Sequence, residues 1–275
     1  MRHYLSAVDV PKPARAAFAL AGAIGEGDVR LTNHPWVFSR DELRRAFGFE
    51  RLLLLNDFEA LALALPRLEP NDCRVPFGPK PAPATDQPMA VVGPGTGLGV
   101  AGVVRHRKRW IPVPGEGGHA TLCATTAFEA DVLSVARAEF GHVSAEQLLS
   151  GSGLPALHRA VAIVRGSPAA ANTAEQVTAL ADSGDEIARV TIGTFFDLLG
   201  AFAGNVALTF GARGGVYVGG GIVPKLEARF AASGFRSRFE GKGRLAPYLE
   251  AIPTPVITST DVALLGASLS LAQTE

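Results

Sequence analysis

The stretch Val91–Val100, reading V-V-G-P-G-T-G-L-G-V, constrains the fold more than any other part of this chain. Gly93, Gly95, Gly97 and Gly99 alternate with other residues between two β-prone runs, Met89–Val92 and Leu98–Val104. The pattern reads as strand, glycine-rich turn, strand. A bare turn between strands needs one or two glycines. Four let the backbone approach another group closely and leave N–H groups to face a ligand, most simply phosphate. The bland reading of the same letters is an ordinary glycine-rich hairpin. No Gly-Lys-Ser/Thr follows, so this is not a Walker loop. The dinucleotide fingerprint fits badly too, because a strand follows the glycines where a helix should.

The 275 residues suffice for one large domain or two lobes, and 47% hydrophobic against 19% charged residues supports a sizeable core. Lys plus Arg equals Asp plus Glu at 26 each, which argues against non-specific nucleic-acid binding. Two cysteines, Cys73 and Cys123, are too few for a disulfide framework or a CxxC metal site and suit a reducing cytoplasm. No uninterrupted run of ~18 apolar residues appears, so no membrane span is expected. The first residues lack the apolar centre of a signal peptide.

Taken in order, Ala16–Ile24 and Val29–Thr32 read as strands. Ser39 reads as the N-cap of a helix Arg40–Phe47, with Glu42 three residues on and Gly48 as the stop. Arg51–Leu55 is a continuous apolar run, as in a parallel strand covered on both faces, and Phe58–Leu65 is a helix. Asn56 and Asp57 therefore lie at the carboxyl end of a buried strand, where open α/β sheets keep their ligands. Residues 69–88, rich in proline, read as a linker between a small lobe, 1–68, and a large lobe, 89–275, whose last helix would pack back on the small one.

In the large lobe a third strand, Arg109–Val113, leads into Pro114-Gly115-Glu116-Gly117-Gly118-His119. Helices are expected at Phe128–Phe140, Ser144–Leu149, Leu154–Val164 and Thr173–Leu180. Asp185–Phe210 reads as a long apolar helix, broken or eased at Gly193, Gly200 and Gly204. Gly214–Gly221 is a short buried strand ending in glycines. Val223–Ala232, Pro255–Thr258 and Val262–Ala272 follow as helix, strand and helix. The large lobe is then a βββαβαβα unit. The small lobe matches its tail but lacks the opening β-meander, so the chain reads as a duplicated α/β design whose first copy misses its start.

Several blocks together resemble bacterial-type glucokinase: Leu31–Trp36, Leu55-Asn56-Asp57-Phe58, Gly93–Gly99, Pro114–His119, Gly141–Glu146, Leu149-Ser150-Gly151 and Gly214–Pro224. They run in family order over nearly the whole chain. The resemblance implies the two-lobed, actin-like (ribonuclease H-like) ATPase fold and ATP-dependent phosphorylation of glucose at its 6-hydroxyl. It implies Asp57 as general base, and Asn56, Asp57, Glu116, His119 and Glu146 around the sugar. Gly93, Gly95, Thr96 and Gly97 would meet the nucleotide phosphates, and Gly219, Gly220 and Gly221 would border the adenosine. Mg²⁺ would arrive on the ATP phosphates with its waters, and no protein residue is named as its ligand. A homodimer is implied as well.

Each residue has a plain structural alternative. Asp57 could cap its helix, Glu116 could be a solvated turn residue, His119 a satisfied structural histidine, and Glu146 a first-turn acid favoured by the helix dipole. The family's other phosphate hairpin, Asp-x-Gly-Gly-Thr-Asn, has no counterpart here, since Asp9 is followed by no glycines. A truncated start is the favoured explanation. The alternative is a catalytically impaired sugar-binding or regulatory paralogue. Cys123 stands alone in H-A-T-L-C-A-T-T-A-F-E, without the partners of the zinc motif of related sugar kinases and repressors, and no helix-turn-helix extension precedes the sugar-kinase portion.

Overall fold

The computed structural model describes residues 13–22, 28–30, 36–82 and 85–272. The resemblance block at 31–35 and the stretch around Asp9 lie outside them. The chain divides into two compact units: residues up to Ala64 together with those from Thr260, and Leu65–Ser259.

In the first unit, strands β1 (Arg15–Leu20) and β4 (Arg51–Asn56) pair in parallel, Arg15 opposite Arg51 and Leu20 opposite Asn56. β2 (Val29–Arg30) and β3 (Val37–Phe38) form a separate short antiparallel pair. Helix α1 (Arg40–Phe47) starts where Ser39 Oγ accepts the Glu42 N–H and stops at Gly48 in the left-handed region. Helix α2 (Asp57–Ala64) follows β4 directly. The apolar run of β4 buries on both faces. Leu52 and Leu54 pack with Phe18 and Phe49 on one side; Leu55 packs with Ala60 and Leu63 on the other.

The second unit is built on a six-stranded sheet. Its strands are β5 (Cys73–Arg74), β6 (Met89–Pro94), β7 (Leu98–His106), β8 (Arg109–Gly115), β9 (Gly215–Val218) and β10 (Val256–Ile257). They lie in the order β5-β10-β9-β6-β7-β8. β6, β7 and β8 make the expected antiparallel meander, and β9 joins β6 in parallel. The parallel pair β9–β10 has the same form as β1–β4 in the first unit. Within 69–88, read above as linker, Cys73–Arg74 pairs antiparallel with β10 and forms the sheet's edge. Two residues between prolines carry no periodic signal, so only the partner strand defines this one.

The helices of this unit are α3 (Ala127–Phe140), α4 (Ala145–Leu148), α5 (Leu154–Val164), α6 (Ala174–Ser183) and α7 (Glu186–Phe210). After β9 come α8 (Ile222–Lys225), α9 (Glu227–Ala231), α10 (Phe235–Glu240) and α11 (Ala246–Glu250). α7 is the one helix among the described residues long and apolar enough to cross a membrane, and most of it is buried inside this unit. It runs unbroken for 25 residues. Gly200 and Gly204 do not break it. A Cβ at either would overlap the backbone carbonyl of Phe235 or Phe239, so these two glycines, one turn apart, let α10 pack directly on α7. Phe77, Phe196, Phe230 and Phe235 fill the space beside them, with ring centroids 4.8–6.1 Å apart.

Last, α12 (Val262–Ala272) packs on α2 and β1 of the first unit. Its Gly266 faces the Ala60 backbone so closely that a Cβ would overlap the Ala60 carbonyl.

Candidate active site

The first unit brings Asn56 and Asp57 to the β4–α2 junction. Asn56, rather than Asp57, caps the helix. Its Oδ1 accepts N–H groups from Phe58 at 2.9 Å and Glu59 at 3.3 Å. The Asn56 N–H donates back to Glu59 Oε2 at 3.3 Å, which completes a capping box of Asn-x-x-Glu form. Burial pushes the Glu59 carboxyl up from its ordinary value, and the Asn56 N–H partly offsets this. Asn56 Nδ2 also donates to Gly22 O at 3.0 Å, tying the end of β4 to the end of β1. Asp57 Oδ1 accepts the Phe58 N–H at 3.0 Å. The carboxylate is thus held at a helix N-terminus, where negative charge is favoured.

In the second unit the two glycine motifs meet. The Gly219 N–H donates to Val92 O at 2.9 Å, across from the start of the hairpin turn. Gly220 has φ +76°, and a Cβ there would overlap the Pro94 carbonyl. The turn itself, Gly95–Gly97, is held by its carbonyls. The Gly151 N–H donates to Gly95 O at 2.7 Å and the Ser152 hydroxyl to Thr96 O at 3.1 Å. No described group accepts from the Thr96 and Gly97 N–H groups.

A cavity of about 950 Å³ opens beside the turn. Gly95, Thr96, Gly151, Ser152 and Gly221 line one part of it; Asn172, Thr173, Glu175, Thr178 and Lys225 line another. The Glu175 carboxyl is held below its ordinary value by its own N–H and the Thr173 hydroxyl. A donor-rich turn with a lysine suits polyphosphate, and the space beside it suits a nucleoside. Asn172, Thr173, Glu175 and Lys225 are not legible as site residues in the sequence. They sit at a helix entrance and in a one-turn helix, and only the tertiary fold faces them toward the glycine turn.

Glu116, His119 and Glu146 belong to the same unit. The peptide after β8 turns at Gly117–His119, closed by the His119 N–H on Glu116 O at 3.0 Å. The segment beyond pairs with the start of α4: the Ala145 N–H donates to Ala120 O at 2.9 Å and the Leu122 N–H to Val143 O at 3.0 Å. This pairing sets Glu146 Oε1 3.7 Å from His119 Nε2. Glu146 Oε2 accepts the Leu98 N–H at 2.8 Å, one residue past the glycine turn. Glu116 is exposed at the head of the same turn. Among the described residues no group of three or more His, Cys, Asp or Glu could hold a metal ion.

A glucokinase family model matches residues 1–274. The chain belongs to the glucokinase family. Members are ATP-dependent hexose kinases, hence transferases acting on glucose and ATP. The glucokinase of Chromobacterium violaceum is 48% identical over 273 residues, covering 99% of this chain and 78% of the relative. That of Aromatoleum aromaticum is 49% identical over 261 residues, covering 94% and 78%. The crystal structure of a glucokinase from an Antarctic psychrotroph superposes with a TM-score of 0.91 at 40% identity, over 99% of this chain and 84% of that one. A ROK hexokinase from Thermus thermophilus, 19% identical with a TM-score of 0.62, shares the fold. The expected mixed α/β, actin-like fold of the glucokinase family is therefore established.

Proposed function

We propose that this chain transfers the γ-phosphate of ATP to the 6-hydroxyl of glucose, with Asp57 as general base. The observation that carries the reading is internal to the second unit. The Glu146–His119 pair and the glycine turn adjoin one another, so hexose-binding and phosphate-binding groups share one scaffold.

Glucose presents a ring of groups that both donate and accept. Glu116 and Glu146 accept, and His119 can do either, so together they orient the ring. Asn56 contributes differently from the expectation. Its Oδ1 is used in capping, so it offers sugar the second Nδ2 proton and otherwise orients Asp57. Phosphoryl transfer passes through a loose transition state and depends mainly on positioning and charge stabilisation. The Thr96 and Gly97 N–H groups would face the charge that develops on the phosphate oxygens, while Asp57 takes the proton of the attacking hydroxyl. Gly93 shapes the strand end, Gly219–Gly221 border the base or ribose, and Lys225 faces the phosphate tail. Mg²⁺ riding on ATP, a homodimer and a cytoplasmic setting complete the reading.

A coupled assay with glucose, ATP and Mg²⁺ tests it. Asp57→Asn keeps an acceptor for the Phe58 N–H. It should lower kcat by about 10²–10⁴-fold, the usual contribution of a positioned base, with an unchanged melting curve. Unchanged turnover would remove Asp57 from this role. Calorimetric glucose binding in a wild-type chain without turnover would favour the non-catalytic sugar-binding protein.

A further inference from the structure

We propose that Glu146 is a positioning residue that couples sugar binding to nucleotide binding, one carboxylate oxygen serving each side. The inference rests on the proposed reading of the site and assigns it a mechanism of synergy. Oε1 faces the sugar-side histidine at 3.7 Å, and Oε2 accepts the Leu98 N–H at 2.8 Å. The side chain is about two-thirds buried, so this charge-assisted bond is shielded from water. Gly97 completes the fit, because a Cβ there would overlap Oε2.

The same short segment holds the rest of the turn. Six residues after Glu146, Ser152 binds the Thr96 carbonyl, and Gly151 binds that of Gly95. Segment 146–152 therefore grips the turn on its carbonyl side and at its exit, while the Thr96 and Gly97 N–H groups have no acceptor among the described residues. A hydroxyl engaging Oε1 fixes the carboxylate, and a fixed carboxylate fixes Leu98 and the turn before it. Conversely, an ordered turn presents Oε1 in the orientation the sugar needs. Linkage requires that the two effects be equal.

The test is made on the full chain. Affinity for ADP with Mg²⁺ is measured by calorimetry without sugar, in wild type, Glu146→Gln and Glu146→Ala. Gln keeps a carbonyl oxygen for the Leu98 N–H; Ala does not. Loss of one such bond predicts weakening of about tenfold in Glu146→Ala. Glu146→Gln should stay within about threefold of wild type, since the acceptor remains. Gly97→Ala, on the phosphate turn, should weaken glucose binding measured without nucleotide. Hydrogen exchange at the Leu98 amide, with no ligand present, should speed up in Glu146→Ala and not in Glu146→Gln. If Glu146→Ala binds ADP as wild type does, or protects Leu98 equally, Glu146 is a sugar ligand only and the proposal is overturned. If wild type binds no ADP, the nucleotide site fails, and the exchange arm still decides whether Glu146 braces the turn.

Discussion

Arg236 makes five side-chain hydrogen bonds within the second unit, and removing it should lower that unit's stability by several kcal/mol, on the order expected for breaking a buried ion pair. The residue is 9% exposed. Its Nε donates to Glu240 Oε1 at 2.5 Å, Nη1 to Ile252 O at 2.8 Å and Thr254 Oγ1 at 3.2 Å, and Nη2 to Glu250 O at 2.8 Å and Leu249 O at 3.3 Å. The guanidinium also lies 5.1 Å from the centre of the Phe239 ring. In Arg236→Ala the Glu250 and Ile252 carbonyls each lose a donor, at ~1–3 kcal/mol apiece. Leu249 O keeps the Ile252 N–H at 3.0 Å and loses less. With Glu240 left unpaired, the total is ~3–5 kcal/mol, as for removal of one partner from a buried ion pair. Arg236→Lys offers one compact ammonium in place of a fork and should retain about half of this. The chain has two tryptophans, Trp36 in the first unit and Trp110 in the second, so a Trp36→Phe background makes fluorescence report the second unit alone. At a urea slope near ~2 kcal/mol per M, Arg236→Ala should lower the Trp110 midpoint by about 1.5–2.5 M. A shift below about 0.5 M would mean that the five donors are replaced by water at no loss, and the reasoning would fail.

His158 and the cysteines give two further tests. Thr191 Oγ1 donates to Ile187 O at 2.7 Å and so accepts from His158 Nδ1 at 3.2 Å, leaving Nε2 buried without a partner. Burial lowers the His158 pKa from 6.5, and Asp185 only partly opposes it. The unfolded chain therefore takes up a proton before the folded one, so stability present above pH 6.5 falls as pH drops through and below that value. His158→Leu should flatten the Trp110 urea midpoint between pH 7 and 5.5; an unaltered slope refutes the assignment. Cys123 is exposed, whereas burial and Asp72 push the Cys73 thiol up to about 12. Ellman's reagent at pH 8 should release one equivalent from the folded chain and a second only in denaturant, and loss of the first signal in Cys123→Ser checks the assignment.

Local chemistry was legible where it was self-contained. Ser39, Glu42 and Gly48 bound α1 as their letters indicate, and Val262–Ala272 is helical over the expected span. Met89–Val92 and Leu98–Val104 form the hairpin because alternating glycines admit little else. Legibility failed where a partner decides. Cys73–Arg74 is a strand only because β10 lies beside it. Val223–Ala232 reads as one helix, but the segment divides at Leu226 into α8 and α9, and α10 and α11 are too short to show a helical period. In the site, residue types were readable and connections were not. Nothing in the letters says that Asn56 caps the helix carrying Asp57, or that Glu146 reaches the glycine turn 48 positions earlier.

The docking of α12 on α2 and β1 has a consequence for how the protein is made. On the ribosome, β1, β4 and α2 emerge early, yet the helix that covers them is synthesised after the whole of Leu65–Ser259. The larger unit can fold as its strands and helices appear, because every segment it needs is contiguous. The smaller one must wait with an uncovered apolar face until α12 has been synthesised, which makes the nascent small unit a natural client for a chaperone.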